Sequence, residues 1–194
     1  MEERRFDLFE KAVTFAVEAH AGQKRKGKDK PYILHPLEVA AIVGTYSNDS
    51  EVLSAAVLHD TVEDTGKTIE DIQSEFGSRV AFLVAGESEN RREELPAEST
   101  WKIRKSETIK HLEKADRDTK LICLGDKLAN IREMATDHAA IGDKLWERFN
   151  QSDPAMHGWY YGAVLEVLEK EFGNIPAIEE YRRLWKRVFG GTEC

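Results

Sequence analysis

The chain has 194 residues, 41% hydrophobic and 33% charged, with a formal net charge of −8. That length fits one ordinary domain with a real core, and the balance excludes disordered and fibrous classes. The acidic excess argues against a general nucleic-acid binder, which needs a basic face. No apolar run approaches the roughly 20 residues of a membrane span, and residues Met1 to Asp7 lack the apolar core of a signal peptide. Cys123 lies in an apolar run and Cys194 at the terminus. They suggest neither a disulfide framework nor a zinc ribbon, so the expected setting is cytoplasmic and reducing. With 5 prolines and abundant Ala, Leu, Glu and Lys, the composition favours helix.

Phe6, Phe9, Val13, Ala16 and Val17 fall at helical spacing, which predicts an amphipathic helix over about 4–21. A basic stretch follows, with five of the seven residues from Lys24 to Lys30 cationic. It reads as a solvated loop, or as a phosphate-binding loop if it faces an acidic metal site. His35-Pro36 opens a second helix, with Pro at the first helical position. Ser47 to Ser50 is a turn and N-cap cluster, and a third, apolar helix runs to His59-Asp60. Thr68 to Asp71 resembles a capping box that starts a helix ending at Gly77, and another short helix covers 78–86. Residues 87–98 are polar and aperiodic, an expected exposed loop. Helix resumes from Trp101 to about Lys114, and Asp116 or Asp118 caps the next one. Three more helices are expected at about 141–150, 154–172 and 176–189. No segment alternates like a strand, so the expected fold is all-α, a single domain over 1–194 with helix 176–189 packed on it.

Polar groups set into apolar surroundings mark the chemistry. His35 stands at a helix start, His59 and Asp60 at a helix end, and Asp126 inside Ile-Cys-Leu-Gly-Asp-Lys-Leu. Such groups are expensive to bury without partners. Two imidazoles and two carboxylates suit one divalent first-row ion, with Mn²⁺ plausible for so oxygen-rich a set. An ion there acidifies water and polarises a phosphoryl oxygen. Glu63 and Asp64 follow within five residues of His59 and are candidates for proton transfer. Each residue also has a plain reading: His35 as a cap, Asp126 as the partner of Lys127 or Arg132, Glu63-Asp64 as an exposed turn. Asn130 is four residues from Asp126, on the same helix face.

Together these residues resemble the HD-domain phosphohydrolases, whose order is His, then His-Asp, then a distant Asp. More narrowly, Gly22-Gln23 to Pro31-Tyr32-Ile33-Leu34-His35-Pro36, then Leu58 to Thr65, then Asp126-Lys127-Leu128-Ala129-Asn130 are similar to the hydrolase domain of RelA/SpoT enzymes. The likeness covers about residues 6–170, with no candidate synthetase domain, as in a small free-standing alarmone hydrolase. It implies an HD-type helical bundle that hydrolyses (p)ppGpp at its 3′-diphosphate, releasing pyrophosphate and GDP or GTP, with Mn²⁺ bound. It implies His35, His59, Asp60 and Asp126 as metal ligands and Glu63 and Asp64 as the acidic pair that positions or deprotonates the attacking water. Arg25 and Lys26 match residues that pack on the base and reach phosphates, and Asn130 a nucleotide-contacting amide. Here the loop departs from the common Arg-Lys-Ser-Gly-Glu-Pro-Tyr: it is one residue longer, more basic and lacks the Ser. The alternatives are therefore an HD hydrolase of an adenine alarmone or a phosphorylated dinucleotide, and a non-catalytic alarmone-binding module. The expected partner is a small nucleotide, with no nucleic acid or membrane, and the sequence is silent on oligomeric state.

Overall fold

The computed structural model describes residues 7–87 and 97–190. In chain order the helices are α1 (Asp7–Ala19), α2 (Leu34–Val43), α3 (Ser50–Leu58), α4 (Thr61–Asp64), α5 (Ile69–Phe76), α6 (Ser78–Glu87), α7 (Ala97–Lys114), α8 (Arg117–Ile141), α9 (Pro154–Phe172) and α10 (Pro176–Phe189). A 3₁₀ helix covers Gly142–Arg148. Among the described residues there is no strand, so the all-α expectation holds. The chain forms two compact units: residues 7–87 with Leu121–Asp126, and 97–120 with 127–190.

In the first unit α3 is central. Every residue from Val52 to Leu58 is buried, and the helix packs on α1, α2 and α6. A helix apolar on all sides can only lie inside a core. Its start is fixed by the Asp49 side chain, which accepts from the Glu51 amide at 2.9 Å. Arg79 of α6 then donates to Asp49 at 2.7 Å and Glu51 at 2.9 Å. The expected box at Thr68 and Asp71 caps α5 reciprocally, and Gly77 ends that helix with φ +89°, a conformation side chains disfavour.

Some boundaries differ from expectation. The first helix, expected over about 4–21, is described over Asp7–Ala19 and passes into a turn at His20, with residues 4–6 outside those described. The second starts at Leu34, so Pro36 sits later in the first turn, where its missing N–H still costs no helical bond. The segment expected as a helix at 141–150 is the 3₁₀ piece: Gly142 (φ +59°) ends α8, and short connectors take the tighter i→i+3 form. The expected loop at 87–98 lies outside the described residues except at its ends, where Glu87 closes α6 and Ala97 opens α7.

In the second unit α7 and α10 pack on α9. Glycines permit the α9–α10 approach, since a Cβ at Gly158 or Gly162 would lie 3.3 Å from Phe189 or Trp185. Trp185 Nε1 donates to the Gly158 carbonyl at 2.9 Å, and Arg132 of α8 forks onto Glu180 at 2.8 Å. Buried His157 is ringed by Trp101, Trp146 and Phe149, and its Nε2 lies 2.8 Å from the Gln151 carbonyl. Burial chiefly lowers its pKa below 6.5, aided by Lys105 and opposed by Gln151 and Asp153. The unfolded chain therefore takes up this proton more readily than the folded one. The stability contributed by neutral His157 is complete above about pH 6.5 and is lost as pH falls through the lowered value. Urea midpoints should drop from pH 7 to pH 5, and His157→Phe should flatten that slope.

Candidate metal centre

Three helices of the first unit deliver the site. His35 comes from the first turn of α2, His59 caps the C-terminus of α3, and Asp126 stands in the buried Leu121–Asp126 stretch of α8. Asp126 reaches α2 because its neighbour has no side chain. A Cβ at Gly125 would sit 3.0 Å from Val43 Cγ2, 3.1 Å from Val39 Cγ1 and 3.2 Å from the Val39 carbonyl oxygen. Gly125→Ala should cost about 1–3 kcal/mol by overpacking. It should also weaken metal binding by moving Asp126 away from His35; urea unfolding and metal titration measure the two effects.

His35 Nε2 lies 3.1 Å from Asp126 Oδ1 and 3.4 Å from Asp60 Oδ2. His59 Nε2 lies 3.1 Å from Asp60 Oδ2 and 3.7 Å from Asp126 Oδ1. His35, His59 and Asp126 each offer one ligand atom, all within 4.8 Å of one another, and all three side chains are buried. Bonds of roughly 2.1 Å place neighbouring donors about 3 Å apart around an octahedral ion, so the set fits a divalent metal. His59 shows the fit best. Its Nδ1 is 2.9 Å from the Ala56 carbonyl, so Nδ1–H donates there and the buried Nε2 faces the Asp60 and Asp126 carboxylates. That is how a protein orients an imidazole ligand.

The electrostatics call for a cation. Burial opposes charge on His59, but the Asp60 charge and hydrogen bonding to Asp126 and Asp60 outweigh it and hold the imidazole pKa well above its usual range. Burial likewise raises Asp60, but the His59 charge and bonds from His35 and His59 hold its carboxyl well below the usual range. The two carboxylates thus attract positive charge to this spot, and a divalent ion competes with protons for it.

Glu63 and Asp64 occupy α4, a single helical turn directly after His59-Asp60, and both are half-buried. Sequence analysis expects no helix there. Asp64 N–H donates to the Asp60 carbonyl at 2.8 Å, and Thr65 closes the turn by donating from its hydroxyl to the Thr61 carbonyl at 2.6 Å. Gln23 Nε2 donates to the Asp64 carbonyl at 2.5 Å. The basic stretch is an ordered loop closed by an isolated antiparallel bridge between Lys24 and Pro31. Within it Gly27 takes φ +72°, Arg25 is half-buried with its guanidinium 5.4 Å from the Tyr32 ring centre, and Lys26 is exposed. Asn130 lies one turn beyond Asp126 on α8, in the part belonging to the second unit.

Sequence analysis gave no role to Tyr32, Gln23 or His20. The Tyr32 hydroxyl lies 2.6 Å from Asp60 Oδ2 and 2.7 Å from Asp64 Oδ2. Burial first, then the charges of Asp60 and Asp64, raise its phenol pKa far above the ordinary value, so it stays a donor. The available signal was position: Gln23 and Tyr32 flank the basic run on either side.

A family model described as "HD domain" matches residues 12–149. The chain belongs to the HD-domain family. Among relatives, the Danio rerio protein named guanosine-3′,5′-bis(diphosphate) 3′-pyrophosphohydrolase MESH1 is 39% identical over 151 residues, 75% of this chain and 81% of that protein. Its Xenopus tropicalis namesake is 40% identical over 130 residues, 66% of this chain and 69% of that one. A solved structure described as a metazoan orthologue of SpoT that hydrolyses ppGpp matches with TM-score 0.75 at 26% identity, over 93% of this chain and 95% of that chain. This HD-domain protein is thus an all-α hydrolase. Among its described residues, no helix is long and apolar enough to cross a membrane.

Proposed function

We propose that this HD-domain protein is a cytoplasmic (p)ppGpp 3′-pyrophosphohydrolase that uses one Mn²⁺ ion. The observation that carries the reading is the convergence of His35, His59 and Asp126, with Asp60 within 3.4 Å of both imidazoles and a carboxylate-bearing turn immediately after it. The likeness to the MESH1 proteins supports the substrate class.

His35, His59, Asp60 and Asp126 hold the ion. When bound, the ion polarises a phosphoryl oxygen and lowers the pKa of water. Asp64, with Glu63 beside it on the same turn, orients the attacking water and takes its proton. The water oxygen attacks the phosphorus joined to the ribose 3′ oxygen. That P–O bond breaks, pyrophosphate leaves, and the 3′ oxygen gains a proton. Arg25 supplies a planar cation for base and phosphate, which Lys cannot replace; Lys26 meets phosphate, and Asn130 the nucleotide.

The test is purified protein with Mn²⁺ and, side by side, guanine and adenine 3′-diphosphates. Pyrophosphate release from ppGpp is expected. Release from the adenine compound alone would move the substrate to adenine alarmones, a shift that the longer loop without Ser would explain. Binding without release at any pH would leave a non-catalytic alarmone-binding module.

A further inference from the structure

The Tyr32 hydroxyl touches a metal-site carboxylate and a proton-transfer carboxylate together, through Asp60 Oδ2 at 2.6 Å and Asp64 Oδ2 at 2.7 Å. A hydroxyl has one proton, so it donates to one of the two oxygens at a time. We infer that Tyr32 is a positioning residue that couples occupation of the metal site to the orientation of Asp64. This inference rests on the proposed hydrolase reading.

The ring that carries this hydroxyl is held on several sides. Its face stacks on His20 with centroids 4.9 Å apart and planes at 25°. The Arg25 guanidinium lies 5.4 Å from the same ring, and the His35 ring meets it at 6.1 Å with an interplanar angle of 70°. His20 is buried, and its Nδ1 is 2.8 Å from Gln23 Oε1. The amide of that glutamine reaches the Asp64 carbonyl at 2.5 Å. Side chain and main chain of Asp64 are thus tied to one assembly of His20, Gln23 and Tyr32. So dense a support around one ring fixes where its hydroxyl oxygen sits, between the two carboxylates.

The coupling follows from acceptor strength. Without an ion, Asp60 Oδ2 is a full carboxylate acceptor and competes with Asp64 for the hydroxyl. A cation on Asp60 draws electron density from that oxygen and makes it the poorer acceptor. The hydroxyl then turns to Asp64 Oδ2 and holds that carboxylate in one rotamer. Before the ion binds, the same phenol holds Asp60 Oδ2 within 3.4 Å of both imidazoles and so aims the ligand set in advance, as outer partners of metal ligands do.

The experiment is Tyr32→Phe, which keeps the stacked ring and removes only the hydroxyl. Three measurements are made beside wild type: Mn²⁺ affinity by calorimetry, kcat and KM for ppGpp at saturating Mn²⁺, and the melting temperature without metal. A fall in Mn²⁺ affinity and in kcat, each roughly 10–100-fold, is expected, because lost outer-shell partners cost that much. KM should stay within about threefold and the metal-free melting point should not move. In the Asp64→Asn background, Tyr32→Phe should lower kcat no further, because residues acting as a unit are non-additive. Wild-type affinity and kcat in Tyr32→Phe, a change confined to KM, or an additive loss beside Asp64→Asn would each overturn the inference. If wild type binds Mn²⁺ but leaves ppGpp intact, the substrate reading fails. The calorimetric arm then decides for Tyr32 alone: weakened affinity supports its hold on Asp60, and unchanged affinity rejects it.

Discussion

Asp64→Ala should fold, bind the metal ion and lose turnover by a factor on the order of 10²–10⁴, the usual contribution of a positioned acid–base group. The geometry separates the two roles. Asp64 is absent from the three side chains whose ligand atoms cluster, and its carboxylate points to the Tyr32 hydroxyl. The turn that carries it is held by main-chain bonds from Asp64 to Asp60 and from Thr65 to Thr61, which the substitution leaves in place. Circular dichroism should therefore match wild type and metal binding should persist while pyrophosphate release collapses. Retained activity would remove Asp64 from the chemistry and pass the role to Glu63.

The second large effect is on the metal. Chelation, or Asp126→Ala, should abolish activity and also lower the melting point, because an ion that binds only the folded state stabilises it by mass action. At a concentration one hundred times its dissociation constant an ion adds about 2.7 kcal/mol. Asp126→Ala should lose this metal-dependent gain. The pH dependence has a definite sign. His59 carries a pKa raised above 6.5, so in the metal-free protein a proton occupies the position the ion needs. Lowering the pH through that raised value favours the proton, so the Mn²⁺-induced melting shift should shrink toward acid and grow toward neutral and above. A shift that grew on acidification would contradict this arrangement of ligands.

How much of this was legible in the sequence depends on what each residue needs. The converging side chains were legible because His35, His59-Asp60 and Asp126 break apolar runs, and a polar side chain inside a core announces a partner. The helix starts at Asp49, Thr68 and Asp116 were legible for a local reason: each cap bonds an amide two or three residues on. The α4 turn was not, since four residues carry too little periodicity to stand out. Nor was the 3₁₀ piece after Gly142, whose spacing differs from that of an α-helix by only a fraction of a residue per turn. Tyr32 was missed for a different reason. Its partners lie 28 and 32 residues away, and a tyrosine after proline reads as ordinary loop chemistry until the chain is folded.

The Lys24–Pro31 bridge gives the basic segment a particular freedom. Both ends are anchored, by the Tyr32 amide on the Gln23 carbonyl at 2.9 Å and by the Arg25 amide on the Lys30 carbonyl at 3.0 Å. A change in the length of the segment between these anchors is taken up beyond the neck, because its two ends stay in register. On the proposed hydrolase reading, preference for one nucleobase over another is set at this tip, much as interchangeable bits fit one drill chuck.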